Sequence, residues 1–203
     1  MTTSSVSHGI DDIVGERCGR AAVPSASHLI KQVTLRDGAA LTIRPIRPAD
    51  RDQEKAFVRK LSDYSRYYRF MQPIRELTPS MLEHFTHPDY DREMALIALS
   101  TRDGKDEEIG VARYVKYPDG RQCEFALAIA DAWHGKGVGT ALMQELIAVA
   151  RSVGLESMEG FVLTTNQPML KLVKFLGFSA EINNDDPTQM TVRKDLSAAG
   201  GAD

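Results

Sequence analysis

A glycine-rich segment at residues 133–142 (Trp-His-Gly-Lys-Gly-Val-Gly-Thr-Ala-Leu) holds the residues whose types and spacing most clearly predict chemistry. Glycines occupy every second position from Gly135 to Gly139, between an apolar run at 125–130 and a run whose apolar residues recur every three or four positions. This order predicts a strand, a loop and a helix. The first N–H groups of a helix lack internal partners, the helix dipole favours an anion there, and glycine lets a phosphate approach the backbone. Residues 134–140, the glycine loop, therefore predict a site for a pyrophosphate or another polyanion.

Two common phosphate-binding loops fit this spacing poorly. The Walker loop needs Gly-Lys followed by Ser or Thr, whereas Lys136 is followed by Gly137. The dinucleotide loop needs Gly-x-Gly-x-x-Gly near the start of a βαβ unit, whereas this Gly-x-Gly-x-Gly run lies about two-thirds along the chain. A nucleotide-binding module is therefore the least favoured interpretation, and a plain glycine turn at a helix start stays open as an alternative.

Glu124 is a candidate general base, because it lies near the start of a strand whose other residues are small or apolar. Burial disfavours an ionised carboxylate, and this suits such a group to accept a proton near neutral pH. The alternative is a structural ion pair with Arg113 or Arg121 across the sheet. Residue type alone favours the ion pair.

The composition predicts a single soluble globular domain. The chain has 203 residues, of which 42% are hydrophobic and 26% charged, with a formal net charge of −3. This balance indicates no nucleic-acid partner and no membrane, and no apolar run approaches the roughly 20 residues that cross a bilayer. Five scattered histidines and two distant cysteines, Cys18 and Cys123, show no metal-ligand spacing, so no metal is expected. Cys123 is expected to be a buried free thiol, and the expected compartment is the cytoplasm.

Apolar periodicity, capping residues and turn residues predict the elements that must position these groups. They are a hairpin at 33–43 around Asp37-Gly38, helices at about 50–61, 65–71 and 78–85, strands at 93–99, 109–117 and 121–130 with a charged turn at 101–107, helix 138–153, strand 158–163, helix 168–176 and a closing hairpin at 178–193. Residues 31–196 are expected to form the domain, between a flexible tail at 1–30 and a second tail at 197–203.

The order of these elements predicts a mixed α/β (α+β) fold, in which a mostly antiparallel sheet is flanked by helices. The two strands joined across helix 138–153 should be parallel, and their connection should be right-handed. The glycine loop then lies between the end of one central strand and the helix that follows it.

With these elements in order, the predicted domain resembles the GNAT acetyltransferases. The segment His134-Gly-Lys-Gly-Val-Gly139 is similar to their acyl-CoA loop, Gln/Arg-x-x-Gly-x-Gly/Ala, with histidine at the Gln/Arg position. Ile129 and Asp131 stand at the spacing of the strand signature that precedes this loop, and Asn166 with Leu-Gly-Phe at 176–178 is similar to the second motif. The resemblance implies the GNAT acyl-CoA N-acyltransferase fold, with acetyl-CoA as the co-substrate.

A narrower similarity, to the acetyltransferase domain of bacterial protein lysine acetyltransferases, covers segments within 57–70, 89–95 and 124–126. Those enzymes act on acyl-CoA synthetases and often carry a further regulatory domain, for which this chain is expected to have no room. The similarity implies an amine acceptor, possibly a lysine of an acyl-CoA synthetase or of another protein, and it implies that Glu124 is the general base. A small-molecule amine acceptor and a non-catalytic acyl-CoA-binding regulatory module stay open as alternatives. A monomer or a homodimer is expected.

The resemblance also implies which residues bind acetyl-CoA. The N–H groups of Leu127 and Ile129 should face the thioester and the pantetheine amides, from a strand that splays away from its neighbour. Asn166 is expected to contact the CoA arm, to cap a helix, or to do both. The pyrophosphate is expected to meet the glycine loop, that is His134, Gly135, Lys136, Gly137, Val138, Gly139 and Thr140. The Lys136 side chain either adds a charge there or is simply solvated.

Three further positions bear on the acceptor and the leaving group. Tyr68 and Arg69 are candidate contacts of the acceptor; the alternative is a helix with its aromatic residues inward and its arginines solvated. Many GNAT enzymes have a tyrosine that protonates the leaving thiolate where this chain has Val173. A thiolate whose pKa is near 8.5 can leave without full protonation, so the absence of this tyrosine does not exclude catalysis.

Overall fold

The computed structural model of the protein describes residues 29–197. Within this range, eight strands form one sheet and five α-helices flank it. The strands are β1 (Lys31–Thr34), β2 (Ala40–Pro45), β3 (Glu93–Arg102), β4 (Lys105–Lys116), β5 (Gln122–Ile129), β6 (Ser157–Leu163), β7 (Ser179–Ile182) and β8 (Gln189–Asp195). The helices are α1 (Arg51–Lys60), α2 (Asp63–Phe70), α3 (Pro79–Thr86), α4 (Val138–Ser152) and α5 (Gln167–Phe175). Cys18 and nearly all of both predicted tails lie outside the described residues.

The strands follow the order β1-β2-β3-β4-β5-β6-β8-β7 across the sheet. Every neighbouring pair is antiparallel except β5 and β6, which are parallel and are connected through α4. The predicted fold class, a mostly antiparallel mixed sheet flanked by helices, is therefore confirmed. The predicted parallel pair is confirmed as well. The glycine loop lies in the connection between these two strands, at the start of α4.

The sheet separates two hydrophobic cores because successive side chains of a strand point to opposite faces. On one face α4 and α5 contribute Leu142, Leu146 and Val173, which are at most 1% exposed. On the other face α1, α2 and α3 cover a second core that includes Phe85 and Ala128. The two layers therefore give each central strand one face toward α4 and α5 and one face toward α1–α3.

Two predicted element boundaries are wrong, one at the turn between β3 and β4 and one at the start of α2. The charged stretch at 101–107 is not a long turn, since β3 and β4 continue to Arg102 and from Lys105, around a two-residue turn. Both central residues, Asp103 and Gly104, have positive φ, as tight hairpins require. The polar side chains suggested a loop. Backbone hydrogen bonds between two strands form equally well, however, where both faces of a hairpin are exposed to solvent. The second helix begins at Asp63 rather than at residue 65, with Ser62 as its N-cap.

Within residues 29–197, none of the helices combines the length and the apolar character that crossing a bilayer requires. The Cys123 thiol is free and buried, as predicted. Burial raises the pKa of this thiol to about 12.

Candidate active site

Strands β5 and β6 are hydrogen-bonded neighbours over only three residue pairs and then part. The paired residues are Gln122 with Ser157, Cys123 with Met158, and Glu124 with Glu159. Beyond them β5 stays paired with β4 as far as Ile129, and β6 stays paired with β8 as far as Leu163. The predicted splaying of β5 from its neighbour is thus confirmed. The gap between residues 125–129 and 160–163 is called the β5–β6 opening below.

The main chain of Leu127 and Ile129 faces the β5–β6 opening. The N–H of Ala130 donates to the carbonyl oxygen of Ile109 on β4, at 2.9 Å. Because N–H directions alternate along a strand, the N–H groups of Ala126 and Ala128 also point to β4. Those of Leu127 and Ile129 therefore point away from β4, into the opening.

The glycine loop joins the end of β5 to the start of α4. Gly137 is the N-cap residue of α4, and its φ of +97° lies in the left-handed region that favours glycine. The first helical bond of α4 runs from the N–H of Ala141 to the carbonyl oxygen of Gly137, at 3.0 Å. The N–H groups of Val138, Gly139 and Thr140 precede it and have no carbonyl partner within the helix. This end of α4 thus presents several main-chain donors to an anion.

The side chains of the glycine loop contact neighbouring residues of the protein. The His134 imidazole donates from Nε2 to the carbonyl oxygen of Ile129, at 2.9 Å. The Lys136 ammonium lies 4.9 Å from the centre of the Trp133 ring, a cation–π contact. At Gly139 an added Cβ would come within 3.2 Å of Leu172. Glycine at that position therefore lets the start of α4 approach α5 closely.

Asn166 and Val173 both belong to α5. The side-chain oxygen of Asn166 accepts a hydrogen bond from the N–H of Met169, at 3.3 Å, so the residue caps the helix. Val173 is 1% exposed and lies in the core shared with α4. The position at which related enzymes have a tyrosine is therefore a packing position here.

Glu124 is half-buried and is the last β5 residue paired with β6. Alternation places its side chain on the face of Ala128, toward α1–α3, because Phe125 faces the other core. The two predicted ion-pair candidates have other contacts: Arg121 pairs with Glu156 at 2.7 Å, and Arg113 donates to the carbonyl oxygen of Phe85 at 2.9 Å.

Arg69 is buried on the same face, which contradicts the alternative of a helix with solvated arginines. Its guanidinium lies 5.0 Å from the ring centre of Phe70 and 5.8 Å from that of Phe85. Burial, and then the positive charge of Arg113, lower the pKa of Arg69 to about 10, while the carboxylates of Glu54 and Glu124 act in the opposite direction. The charge of Arg69 therefore lies within electrostatic reach of Glu124.

The solvent-exposed surface of α2 carries tyrosines, whereas the alternative interpretation expected solvated arginines with the aromatic residues inward. Tyr64 and Tyr67 are 76% and 45% exposed. Tyr68 is half-buried, and its ring centre lies 6.4 Å from that of Tyr64. The outer face of α2 is thus aromatic, while its inner face buries Arg69.

Asp131, just after β5, ties α2 to the glycine-loop end of the sheet. Its carboxylate accepts hydrogen bonds from the N–H and hydroxyl of Ser62, at 2.8 and 2.7 Å, and from the hydroxyl of Ser65 at 2.8 Å. Partial burial opposes the effect, but these hydrogen bonds hold the pKa of Asp131 below its ordinary value. The start of α2 is therefore fixed relative to the end of β5.

Sequence reasoning missed a second carboxylate at this site. Glu159 on β6 pairs in register with Glu124, and it accepts hydrogen bonds from the Tyr117 hydroxyl at 2.6 Å and from Arg193. The available signal was a single acidic residue in the apolar run 158–163, on a strand predicted to be parallel to β5. Among residues 29–197, no cluster of His, Cys, Asp or Glu side chains is arranged to hold a metal ion.

Comparison with known proteins identifies the family. The family model of the acetyltransferase (GNAT) domain matches residues 40–179. An acetyltransferase of Pseudomonas aeruginosa is 38% identical over 160 residues, which cover 79% of this chain and 86% of that protein. The chain therefore belongs to the GNAT acetyltransferase family, as its sequence predicted.

Two further proteins resemble the chain more specifically. Acetyltransferase Pat of Mycolicibacterium smegmatis is 30% identical over 146 residues, covering 71% of this chain and 43% of that protein, so the chain spans less than half of its length. The GNAT domain of S. lividans PAT superposes with a TM-score of 0.77 at 30% identity, over 86% of this chain and 99% of that domain. The predicted resemblance to this branch of GNAT domains is thus confirmed.

Proposed function

We propose that this acetyltransferase transfers the acetyl group of acetyl-CoA to the side-chain amine of a protein lysine, with Glu124 as general base. One observation carries the proposal: β5 and β6 part directly after Glu124. The parting sets three kinds of group around one opening, namely the main-chain donors of the glycine loop, the N–H groups of Leu127 and Ile129, and the Glu124 carboxylate.

The residues on the loop side fit acetyl-CoA. The pyrophosphate meets the N–H groups between His134 and Thr140, at the positive end of the α4 dipole. Because the donors belong to the main chain, histidine at the Gln/Arg position of the motif is compatible with binding. Lys136 adds a positive charge beside Trp133, and Asn166 adds a polar group at the start of α5.

The β5 main chain holds and polarises the thioester. The N–H groups of Leu127 and Ile129 meet the pantetheine amides and the thioester carbonyl in the β5–β6 opening. An N–H group aimed at a developing oxyanion contributes roughly 3 kcal/mol to transition-state stabilisation.

Glu124 supplies the proton transfer. A lysine ammonium, with a pKa near 10.4, is almost fully protonated at neutral pH and cannot attack. Glu124 takes one proton directly or through one water, and the amine nitrogen bonds to the thioester carbon. The nitrogen then releases its second proton to water as the carbon–sulfur bond breaks. CoA leaves as the thiolate, whose pKa near 8.5 removes the need for full protonation in this step. Val173 has no proton to give.

The α2 surface favours a protein acceptor over a small amine. Exposed Tyr64 and Tyr67 offer aromatic contact area on the outer face of α2, and such side chains are enriched where proteins bind one another. The buried free thiol of Cys123 supports a reducing compartment, the cytoplasm. We propose a monomer or a homodimer as the working form.

An acceptor screen tests the proposal. The protein is incubated with acetyl-CoA and with lysine peptides, acyl-CoA synthetases or small amines, while the released thiol is measured. The expected result is thiol release that depends on a lysine acceptor, with acetyl-lysine identified by mass spectrometry. Release with small amines alone would contradict the protein acceptor. Acetyl-CoA binding without release for any acceptor would indicate a non-catalytic binding module.

A further inference from the structure

A row of paired residues crosses the sheet at the point where β5 and β6 part. Val115 on β4 pairs with Glu124, Glu124 with Glu159, and Glu159 with Arg193 on β8. Residues paired across neighbouring strands project to the same face, about 5 Å apart. The Glu124 and Glu159 side chains therefore stand side by side, on the face toward α1–α3 and at the entrance of the β5–β6 opening.

Glu159 is held in one place. Its side chain is only 11% exposed; one carboxylate oxygen accepts from the Tyr117 hydroxyl at 2.6 Å, and the other from Arg193 Nε and Nη2 at 3.1 and 2.5 Å. Burial, and then the hydrogen bond to Glu159, raise the pKa of Tyr117, so its hydroxyl stays protonated and donates throughout the neutral range. The Glu159 carboxylate is thus a hydrogen-bond acceptor held in a fixed position.

The cation paired with Glu159 is far more exposed than Glu159 itself. The Arg193 side chain is 57% exposed, so water and salt screen its charge, while the carboxylate is largely shielded. Arg69 of α2 is also within electrostatic reach of Glu124. Two neighbouring carboxylates repel each other, and a cation placed between them relieves that repulsion.

We infer that Glu159 is the second carboxylate of the acceptor site, and that the reacting amine enters as a cation between Glu124 and Glu159. This inference rests on the proposed function and narrows its substrate class. It favours a lysine side chain, whose amine has no carboxylate nearby, and it disfavours the α-amine of a free amino acid. Glu159 acts as a positioning residue: it attracts and orients the ammonium that Glu124 deprotonates.

Kinetics of charge-removing variants test the inference. The probe acceptor is a short peptide with one lysine and blocked ends, used with saturating acetyl-CoA. Glu159→Gln keeps an oxygen for the Tyr117 hydroxyl but removes the charge. It should raise the acceptor KM about tenfold, as for a lost charged contact, with less than threefold change in kcat and no change in the KM for acetyl-CoA. Glu156→Gln, which removes a carboxylate from the exposed pair with Arg121, should change none of these values.

A second variant separates charge from structure. Arg193→Gln breaks the same ion pair from the other side but leaves the Glu159 charge in place. If the pair of Glu159 and Arg193 is purely structural, both substitutions should change the acceptor KM alike. If Glu159 positions the ammonium, Arg193→Gln should leave the acceptor KM unchanged or lower it. This result keeps its meaning even if Glu159→Gln does not fold.

The outcomes separate the two proposals. An unchanged acceptor KM in Glu159→Gln, or an equal rise in Arg193→Gln, would overturn the inference while the wild-type protein still acetylates the peptide. Wild-type protein that releases no thiol with any lysine acceptor would overturn the proposed function, and the inference with it.

Discussion

On one side of the β5–β6 opening the candidate functional groups are main-chain N–H groups of one continuous stretch, residues 127–140. On the other side they are side chains from five places in the chain: Arg69, Tyr117, Glu124, Glu159 and Arg193. Main-chain donors tolerate a change of side chain unless it alters φ or fills the space of the ligand. Side-chain groups, in contrast, fail when a single charge or hydrogen bond is lost. The two sides should therefore respond to different kinds of substitution.

The largest effect is expected on the loop side, from Gly137→Asp. The substitution places a negative charge beside the pyrophosphate, and juxtaposed like charges cost several kcal/mol, so acetyl-CoA affinity should fall roughly a hundredfold or more. Folding should survive, because a Cβ at Gly137 would make only an ordinary 3.8 Å contact with Leu35. Calorimetric titration with acetyl-CoA measures the change.

Gly154→Asp is the matched control for Gly137→Asp. Gly154 has a similar φ of +79°, directly follows the opposite end of α4, and has open space around its Cβ position. Both variants carry the same backbone strain, about 1–2 kcal/mol, but only Gly137→Asp should lose acetyl-CoA. Equal affinities in the two variants would mean that the glycine loop does not bind the pyrophosphate.

Val173→Ala separates packing from chemistry beneath the loop. The side chain is 1% exposed in the core shared with α4, so its truncation should lower the free energy of unfolding by about 2 kcal/mol. The kcat should change less than tenfold, because Val173 cannot donate a proton. Val149→Ala removes another buried valine, 6% exposed, from α4 and should cost a similar amount. If Val173→Ala alone lowered kcat much further, with folding and acetyl-CoA affinity intact, the position would take part in catalysis.

Asp131→Ala tests the connection between the two sides, and its effect should be the smallest. Loss of the hydrogen bonds to Ser62 and Ser65 at the start of α2 should cost about 1 kcal/mol at pH 7, as for other helix caps. The pKa of Asp131 is lowered in the folded state, so the carboxylate contributes stability above about pH 4 and loses it as the pH falls through that lowered value. Denaturant unfolding of both proteins at pH 7 and pH 2.5 measures the difference. A difference of equal size at both pH values would contradict this origin.

The loop side was largely predictable because it is encoded locally. Alternating glycines after an apolar strand specify a turn and a helix start within ten residues, and the structure places Gly137 at the N-cap of α4. The parallel pairing of β5 and β6 followed from the helix between them, through the connection rule for parallel strands. The splaying of β5 was implied only by the family resemblance.

The other side was predicted less well because it depends on distant contacts. Arg69 is buried because the Phe85 ring of α3 lies against it and carboxylates compensate its charge, which no helical period reveals. Glu159 became visible only through the register of β5 with β6, which sets it beside Glu124. A one-residue shift of that register would have turned it to the opposite face.

Glu124→Gln tests the central claim most directly, that binding and proton transfer occupy separate sides of the β5–β6 opening. The variant keeps the shape of the side chain and removes the base. We expect kcat to fall by about 10²–10⁴, the acidic limb of the pH–rate profile to flatten, and the Kd of acetyl-CoA to stay unchanged. Glu156→Gln serves as the control for loss of a nearby carboxylate. A near-wild-type kcat with the same acidic limb in Glu124→Gln would contradict the account and make Glu124 a structural residue.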